Sequence, residues 1–246
     1  MKNIDISVVL NVHSETVVSG PTIRSAESAI LIAEAAGFIV ERLICFDRPS
    51  RECRLYFTQP IFSLWRKLEF DIGDLGIVRN KVSTLSKGRW IAWLDADDLF
   101  SENWLVLGAQ SLASSRSSGD KVIVHPEMNL VFDGYANAYT KLNQSDILFT
   151  PYYFYFLNYY DSLCMAPREL FSDVPYICSD FELGFALEDW LWNIQTIYAG
   201  WKHEIVKDTI IFKRRRDMSL VVKSSQRRTI LWPVEALAID EIAKLR

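Results

Sequence analysis

The sequence has few of the residues that build disulfide scaffolds or zinc sites. Its 246 residues include four cysteines and three histidines. No two cysteines stand in a C-x-x-C arrangement, and no histidines follow at zinc-finger spacing, which are the usual marks of such sites. This scarcity favours a reducing compartment, so we expect the protein in the cytoplasm.

Long apolar runs are also missing from the sequence. No stretch approaches the roughly 18 uninterrupted apolar residues that a membrane-spanning helix requires. The first five residues, MKNID, lack the apolar core of a secretory signal. We therefore expect a protein that is soluble or at most peripheral, with the inner face of the membrane as the alternative location.

Strong basic charge is absent as well. The formal net charge is −4 and the sequence pI is about 5.5, whereas nucleic-acid-binding domains are normally basic. We expect no nucleic-acid partner, although a local basic patch can still bind phosphate.

The composition is that of a globular α/β protein. The chain is 50% hydrophobic and 24% charged, which supplies enough apolar side chains for one large core. No linker, internal repeat or low-complexity tract divides it. We predict a single domain over residues 1–246.

The first half of the sequence predicts a β-α-β pattern with buried parallel strands. Residues 6–12 (ISVVLNV) form the continuous aliphatic run that is typical of a strand buried on both faces. The other elements predicted here are a helix over 22–36 ended by Gly37, a strand over 40–46, a helix over 75–86 capped by Gly88, and a strand over 89–94. The carboxyl ends of such strands gather at one edge of the sheet, where open α/β folds bind their ligands.

The second half of the sequence is less regular. The elements predicted here are a helix over 102–114 capped by Ser101, a surface loop over 114–120, a strand over 121–125, a helix over 186–199 ended by Gly200, strands over 204–206 and 209–212, and a helical tail over 233–246. The aromatic-rich region 129–171 predicts no topology. Because no stop signal follows the tail, we expect it to continue in a longer protein.

Three carboxylates, Asp95, Asp97 and Asp98, follow the apolar strand over 89–94. Like charges so close together repel each other, and cations stabilise such a cluster. Oxygen ligands suit a hard divalent ion, Mg²⁺ or Mn²⁺. The alternative is an Asp-rich turn before the next helix, since Asp favours turns and helix N-termini.

Several motifs occur together in an order that resembles the family 2 glycosyltransferases. They are ISVVLNVHSE at the first strand, Asp47 after the second, DIGDLGIVRNKVSTLSKGRWIAWLDADD in the middle, LEDWLWN around Glu188, and FKRRRDMSL near the end. The similarity covers roughly the whole chain. It implies the GT-A fold, a Rossmann-like α/β fold with a mostly parallel central sheet flanked by helices. Residues 1–125 would bind the nucleotide sugar and residues 126–246 the acceptor.

The resemblance also implies roles for the residues around the donor. Asp47 would bind the base, Asp95 would lie near the ribose and the metal, and Asp97 would be the main metal ligand with Asp98 as a second candidate. The residues that would hold the nucleotide and orient the D-x-D motif are Asp71, Asp74 and Arg79. Local alternatives remain open, because Asp74 could instead cap the helix that starts at Leu75 and Arg79 could pair with Asp71 on the surface.

Two acidic residues, Glu188 and Asp189, open the helix predicted over 186–199, where the helix dipole favours negative charge. The resemblance implies that Asp189 is the catalytic base, which deprotonates the acceptor hydroxyl, and that Glu188 supports it. Direct displacement without a protein nucleophile inverts the anomeric centre.

A basic run, Lys213 to Arg216, follows the last predicted strand. Strand alternation would direct Arg214 and Arg216 to one side, where guanidinium groups could hold diphosphate. The alternative is a solvated basic edge strand that opposes aggregation.

The aromatic residues over 152–160 suggest either a sugar-stacking or lipid-facing platform, or simple core packing. Packing is the preferred interpretation for most of them. Trp190 and Trp192 stand beside Asp189 and are the candidates to line the acceptor site. His13 and His203 are interpreted as structural residues.

The sequence therefore predicts an inverting, metal-dependent glycosyltransferase of surface polysaccharide synthesis. It would use Mn²⁺ or Mg²⁺, a UDP-, dTDP- or GDP-linked sugar donor, and a glycan or lipid-linked acceptor. A nucleotidyltransferase is the rival enzyme class, but such enzymes carry a Gly-rich phosphate loop where this chain has His13, Ser14 and Glu15. A non-catalytic nucleotide-sugar-binding module is the other alternative, because a fold alone does not prove activity.

Overall fold

The computed structural model describes residues 3–215, 224 and 226–245. The strands in this part are β1 (Ile6–Val12), β2 (Val40–Asp47), β3 (Arg66–Phe70), β4 (Trp90–Asp95), β5 (Leu99–Phe100), β6 (Val122–Phe132), β7 (Asn137–Thr140), β8 (Met165–Pro167) and β9 (Lys202–Arg214). The helices before the C-terminal tail are α1 (Ser19–Ala35), α2 (Arg51–Tyr56), α3 (Leu75–Leu85), α4 (Trp104–Ser118), α5 (Leu170–Asp173) and α6 (Glu188–Tyr198). All nine strands belong to one sheet, in the order β3-β2-β1-β4-β8-β6-β9-β5 with β7 beside β6.

Four neighbouring strands, β3, β2, β1 and β4, run parallel. Every residue of β1 is buried, because aliphatic side chains on both of its faces pack against helices and the rest of the core. In the register, Asn11 pairs with Asp95 and Asp47 pairs with Phe70. The carboxyl ends of these strands therefore meet at one edge of the sheet, which confirms the predicted β-α-β arrangement.

The rest of the sheet is mixed. β8 runs antiparallel to both β4 and β6, and β6 runs parallel to β9. The two short strands predicted over 204–206 and 209–212 are one strand, β9. The interruption is a bulge opposite Pro126, where the register shifts, and Asp208 takes a left-handed conformation with φ 62°. The Glu127 carboxylate accepts hydrogen bonds from the backbone N–H of Asp208 and from Lys207, which compensates for ladder bonds lost at the bulge.

Helix α4 differs from its predicted bounds at both ends. Ser101 does not cap it, because its hydroxyl donates to Asn103 Oδ1 and accepts from the backbone N–H of Ile210. The residues predicted as a surface loop continue the helix to Ser118, and Gly119 ends it with φ 81°. Serine is a tolerable helix former when its hydroxyl bonds a carbonyl one turn back, as Ser115 does with Ser111.

Gly88 also has a different role from the predicted helix cap. Helix α3 ends at Leu85, and the N–H of Gly88 donates to Ser7 Oγ. A side chain at Gly88 would collide with the backbone of Ser7. The glycine is therefore required by the close approach of two backbones rather than by a left-handed turn.

The core has two parts. The larger one surrounds the sheet, and the smaller one joins Phe154 and Tyr160 of the aromatic-rich region to Ile194 and Ile197 of α6. The tail closes the smaller core with Ile242 and two further buried residues, Ala236 and Leu245. It does so through a 3₁₀ turn (Glu235–Leu237) and a short helix (Ile239–Ile242) instead of the single predicted helix.

Within the described ranges, no helix is both long and apolar enough to cross a bilayer. All four cysteines are free, and three of them are buried.

Candidate active site

The predicted donor residues follow the carboxyl ends of the parallel strands. Asp47 ends β2, Asp71 follows β3, and Asp95 ends β4. Asp74 is the N-cap of α3 and Arg79 lies in its second turn; the helix begins directly after the loop that follows β3. The fold therefore gathers at one edge five residues that the sequence places up to 48 positions apart, from Asp47 to Asp95.

Asp47 fixes the loop after β3. Its carboxylate accepts hydrogen bonds from the backbone N–H groups of Ile72 and Gly73, both at 2.8 Å. Its carbonyl oxygen contacts His13 Nδ1 at 2.7 Å. Gly73 has φ 79°, and a side chain there would overlap the guanidinium of Arg48. Asp47 therefore joins the ends of β1 and β2 to the β3–α3 loop.

Asp71 and Asp74 have local partners. Asp71 pairs with Arg48 at 2.7 Å, and its side chain is 89% exposed. Asp74 caps α3 by accepting from the N–H of Ile77, and its second oxygen accepts from the N–H of Ser179. The capping alternative for Asp74 is thus confirmed, and the proposed surface pair between Asp71 and Arg79 is wrong.

Arg79 lies buried at the centre of the site, with its side chain 1% exposed. Its guanidinium reaches Glu188 Oε1 at 3.3 Å and Asp95 Oδ1 at 3.6 Å, and it donates to Ser162 Oγ at 2.9 Å. The Tyr176 ring lies beneath it at 5.5 Å. One side chain of α3 thus links the predicted D-x-D motif to the predicted catalytic pair.

The three clustered carboxylates have different surroundings. The Asp95 side chain is 28% exposed and accepts weakly from Asn11 Nδ2 at 3.4 Å. Asp97 and Asp98 are 8% and 3% exposed. Asp98 accepts from the N–H of Arg214 at 2.8 Å and lies 3.3 Å from Lys213 Nζ. Burial raises the pKa of Asp98 to about 7, with Lys213 opposing the rise and Asp95 and Asp97 adding to it.

Lys213 connects this cluster to another carboxylate, that of the partly buried Asp161. Its ammonium lies 3.9 Å from Asp161 Oδ2, which also faces Lys141 Nζ at 3.7 Å. Asn129 completes the group, because its amide donates to Asp161 and its carbonyl accepts from Lys141 at 2.6 Å. Burial alone would raise the pKa of Asp161, but the two ammonium groups lower it below its ordinary value. Charge therefore alternates along a row of four side chains: Asp98, Lys213, Asp161 and Lys141.

The predicted catalytic pair opens α6. Leu187 precedes it in a left-handed conformation, φ 68° and ψ 51°, which costs about 1–2 kcal/mol for a residue with a side chain. Burial, together with the neighbouring charge of Asp189, raises the pKa of Glu188 to about 7 against the opposing charge of Arg79. Burial also raises the pKa of Asp189. A carboxylate held in this way is a better proton acceptor near neutral pH than one in water.

The basic run is described only in part. Arg214 ion-pairs with Asp133, stacks on Phe132 at 4.7 Å, and donates to the carbonyl of Asp97 at 3.4 Å. It lies against the D-x-D turn, but its guanidinium already has these partners. Arg216 lies outside the described residues.

The two predicted acceptor residues differ in exposure. Trp192 is 1% exposed, stacks on Phe171 and Tyr176, and donates to the carbonyl of Val174. The prediction that Trp192 lines the acceptor site is wrong, because its position on α6 directs the side chain into the core. Trp190 is partly buried, and its indole N–H donates to the carbonyl of Phe154.

His203 is structural in this fold. It lies 2.9 Å from His125 Nε2 and 2.9 Å from Thr196 Oγ1, and Tyr160 stacks on both histidines. Burial lowers the pKa of His203 to about 3 and that of His125 well below its usual value. His13, in contrast, is exposed.

A divalent cation fits this site if a bound diphosphate supplies part of its ligand shell. In the ranges that the structure describes, no three His, Cys, Asp or Glu side chains are arranged to hold a metal on their own. Asp95 and Asp97 nevertheless offer the oxygen donors that Mg²⁺ and Mn²⁺ prefer, and such ions commonly take one or two carboxylates and complete their shell with substrate phosphates and water. The site fits a metal whose remaining ligands come from a diphosphate.

Two cavities flank the sheet. One, of about 560 Å³, lies beside Asp71 and is lined by Arg48, Glu69 and Phe70, at the same edge as the acidic cluster. The other, of about 570 Å³, lies at the opposite edge, between Trp90 and Trp201. Only the first adjoins the residues predicted to bind a donor.

Four residues of this site were missed from the sequence: Lys141, Asp161, Ser162 and Lys213. The first three lie in or beside the aromatic-rich region that predicts no topology. Lys213 belongs to the basic run, but only the arginines of that run were predicted to bind the diphosphate, because guanidinium groups bind phosphate bidentately. A lysine next to an aliphatic strand end was the one signal that could have identified it.

Comparison with known proteins places the fold. No protein-family model matches the sequence, and no curated protein matches it either. Among solved structures, S. aureus TarS 1-349 in complex with UDP-GlcNAc is 14% identical, with a TM-score of 0.59 over 88% of this chain and 60% of that chain. GalNAc-T7 with UDP, GalNAc and Mn²⁺ is 14% identical, with a TM-score of 0.62 over 87% of this chain and 44% of that chain.

These similarities show the fold. The chain has the mixed α/β GT-A fold of these glycosyltransferases, which confirms the predicted fold class. It spans 37% of the TarS chain and 60% of the TarS 1-349 chain.

Proposed function

We propose that this protein is a glycosyltransferase that moves a sugar from a nucleoside-diphosphate donor to a hydroxyl group of an acceptor, with inversion at the anomeric carbon. The observation that carries the proposal is the Arg79 bridge. Its two terminal nitrogens contact Asp95, which would lie beside the donor, and Glu188, which precedes the predicted base. Two sites that must act on neighbouring atoms are thereby fixed relative to each other.

The donor would lie along the carboxyl edge of β1, β2 and β4. The cavity beside Asp71 would receive the base, and Asp47 and Asp74 would act mainly by holding the loop around it. The likeness to a TarS structure that contains UDP-GlcNAc favours a UDP-linked sugar over the dTDP- and GDP-linked alternatives.

In the reaction, Asp189 would accept the proton of the acceptor hydroxyl as its oxygen attacks the anomeric carbon. The bond from that carbon to the diphosphate oxygen breaks on the opposite face, and the electron pair leaves with the nucleoside diphosphate. Glu188 would not touch the substrate but would position Asp189 through Arg79. The cationic Lys213 and Arg214 lie beside the D-x-D turn, where their charge favours a departing anion.

Asp95 and Asp97 would hold Mn²⁺ or Mg²⁺ together with the diphosphate. Bound there, the metal would neutralise the negative charge of the leaving group. Asp98 is a poorer candidate than the sequence indicates, because both of its oxygens already have partners in Lys213 and the Arg214 backbone.

The acceptor would approach from the α6 side, over Trp190. A glycan or lipid-linked acceptor of surface polysaccharide synthesis, a cytoplasmic location, peripheral contact with the inner face of the membrane and further domains in a longer chain all belong to this proposal. The exposed apolar side chains of Ile147, Leu148 and Phe156 are consistent with a lipid-linked acceptor.

The test is a donor panel with product analysis. Purified protein with Mn²⁺ is incubated with UDP-, dTDP- and GDP-sugars, and release of nucleoside diphosphate is measured. Asp189→Asn should abolish release, whereas Asp240→Asn, an exposed position on the short C-terminal helix, should not change it.

The alternatives give different results. Pyrophosphate from a nucleoside triphosphate and a sugar phosphate would identify a nucleotidyltransferase. Tight UDP binding without turnover across the panel would identify a non-catalytic module. Wild-type rates in Asp189→Asn would refute the proposed base.

A further inference from the structure

Lys213 contacts the acidic cluster directly, apart from any effect of its charge on the leaving group. It is the last lysine of β9, its side chain is 26% exposed, and it lies between Asp98 and Asp161. Arg214 and the other basic residues of the run extend beyond it. Burial alone would lower the pKa of its ammonium, but the two carboxylates hold that pKa above its usual value, so the group stays charged.

Protein cations already neutralise part of the acidic cluster. Arg79 faces Asp95, and Lys213 faces Asp98. Asp98 is 4% exposed in its side chain, and its other oxygen accepts from the Arg214 backbone. The sequence alone suggests that the three carboxylates bind an external cation. In the fold, two protein cations, Arg79 and Lys213, already lie beside them.

Further contacts hold the Lys213 side chain in position. Asp161 attracts its ammonium, and Lys141 and Asn129 hold Asp161 in place. Asn129 lies on β6, and Lys141 directly follows β7. Lys213 is therefore held between two carboxylates, 3.3 Å from Asp98 and 3.9 Å from Asp161.

We propose that Lys213 is a built-in cation of the D-x-D turn, which keeps Asp98 out of the metal shell and weakens divalent-cation binding to Asp95 and Asp97. The idea rests on the proposed function only in taking these two residues as the metal ligands. Its consequence is a cluster that binds one divalent ion, and binds it well only when a diphosphate adds its own oxygens.

The test measures Mn²⁺ binding directly, by the electron paramagnetic resonance signal of free Mn²⁺, without any turnover. Lys213→Gln removes the charge, so Mn²⁺ should bind roughly tenfold more tightly than to the wild type, because a cation close to the ligands opposes a second cation. Lys207→Gln, which changes the same residue type on the same strand at a 75% exposed position, should leave the affinity unchanged. A lysine with a merely structural role would give weaker Mn²⁺ binding when replaced, not tighter.

A double variant guards against a folding defect in the single one. Lys213→Gln with Asp98→Asn removes both partners and leaves no buried charge unpaired. If Asp98 is not a ligand, this variant should bind Mn²⁺ within about twofold of the wild type, because the removed charges cancel. A drop of about tenfold or more would make Asp98 a metal ligand and overturn the proposal.

Unchanged or weaker Mn²⁺ binding in a folded Lys213→Gln variant would also overturn it. The donor panel is read separately, so sugar transfer without any Mn²⁺ binding would reject this inference and leave the proposed reaction standing.

Discussion

Arg79 and Glu188 are 109 positions apart in the chain and lie 3.3 Å apart in the fold. The arginine comes from α3, between β3 and β4 in the chain, and the glutamate opens α6, between β8 and β9. Because the arginine is buried, this contact holds Glu188 against the D-x-D motif through one side chain.

Replacing Arg79 should affect both stability and turnover. Arg79→Lys keeps the charge, but one ammonium cannot reach Glu188, Asp95 and Ser162 together. We expect a loss of about 1–3 kcal/mol in the free energy of unfolding, because the charge stays but a buried acceptor loses its hydrogen-bond partner. In the folded fraction, kcat/KM should fall by roughly 100-fold, since misplacing the base by about an ångström has that effect.

Denaturant unfolding and donor-release kinetics measure the two effects of Arg79→Lys. Arg116→Lys, an exposed position on α4, provides the control and should change neither quantity. Wild-type kinetics in Arg79→Lys would mean that the bridge does not position the catalytic pair.

The proposed catalytic pair, Glu188 and Asp189, should make the rate depend on pH. The pKa of Glu188 is raised to about 7 and that of Asp189 is raised as well, so a proton shared by the pair must leave before Asp189 can accept one. We expect kcat/KM to rise with pH through about 7 and to level off above it. A profile that is flat from pH 8 down to pH 5, measured with the same donor and acceptor, would contradict this expectation.

The same shift predicts how acid affects stability at this pair. A carboxyl whose folded pKa is raised stabilises the fold below its ordinary value of 4.5, and this contribution is lost as the pH rises through about 7. Between pH 4.5 and about 7, the unfolding free energy of Glu188→Gln should therefore decline less than that of the wild type.

The buried histidines should act in the opposite direction. The pKa of His203 is lowered to about 3 from 6.5, so the unfolded chain binds a proton there that the folded chain does not. Stability is complete above pH 6.5 and decreases as the pH falls toward 3, by about 2 kcal/mol at pH 5. Thermal unfolding at pH 7 and pH 5 should show a smaller difference in His203→Gln than in the wild type. The exposed His13→Gln should keep the wild-type difference.

Trp192 provides a test of the corrected acceptor assignment. Trp192→Ala removes a buried ring that stacks on Phe171 and Tyr176, and it should cost about 3–5 kcal/mol. The milder Trp192→Phe should fold and leave the KM for the acceptor unchanged. A several-fold rise in that KM, without a change in the KM for the donor, would return Trp192 to the acceptor site.

The elements that the sequence predicts well are those with strong local patterns. The aliphatic runs of β1 and β4 and the charged start of α6 identify themselves, because burial on both faces and the helix dipole act over neighbouring residues. Asp95 and Asp189 could be placed at element ends for the same reason.

The elements that were predicted wrongly depend on distant partners. Gly88 follows a helix but is required by the backbone of Ser7, and β9 continues through a bulge because Pro126 on the facing strand lacks an N–H. The contact between Lys213 and Asp161 joins residues that no local pattern relates. Periodicity carries no information about such pairs.

The continuity of the sheet has a consequence for motion. Strands from both halves of the chain share one hydrogen-bonded ladder, since β8 joins β4 to β6. A hinge between the halves would have to break that ladder. Substrate entry and product release should therefore depend on loop and side-chain movements around a rigid floor, and the slow step of the cycle should be sensitive to substitutions in the β3–α3 loop rather than in the sheet.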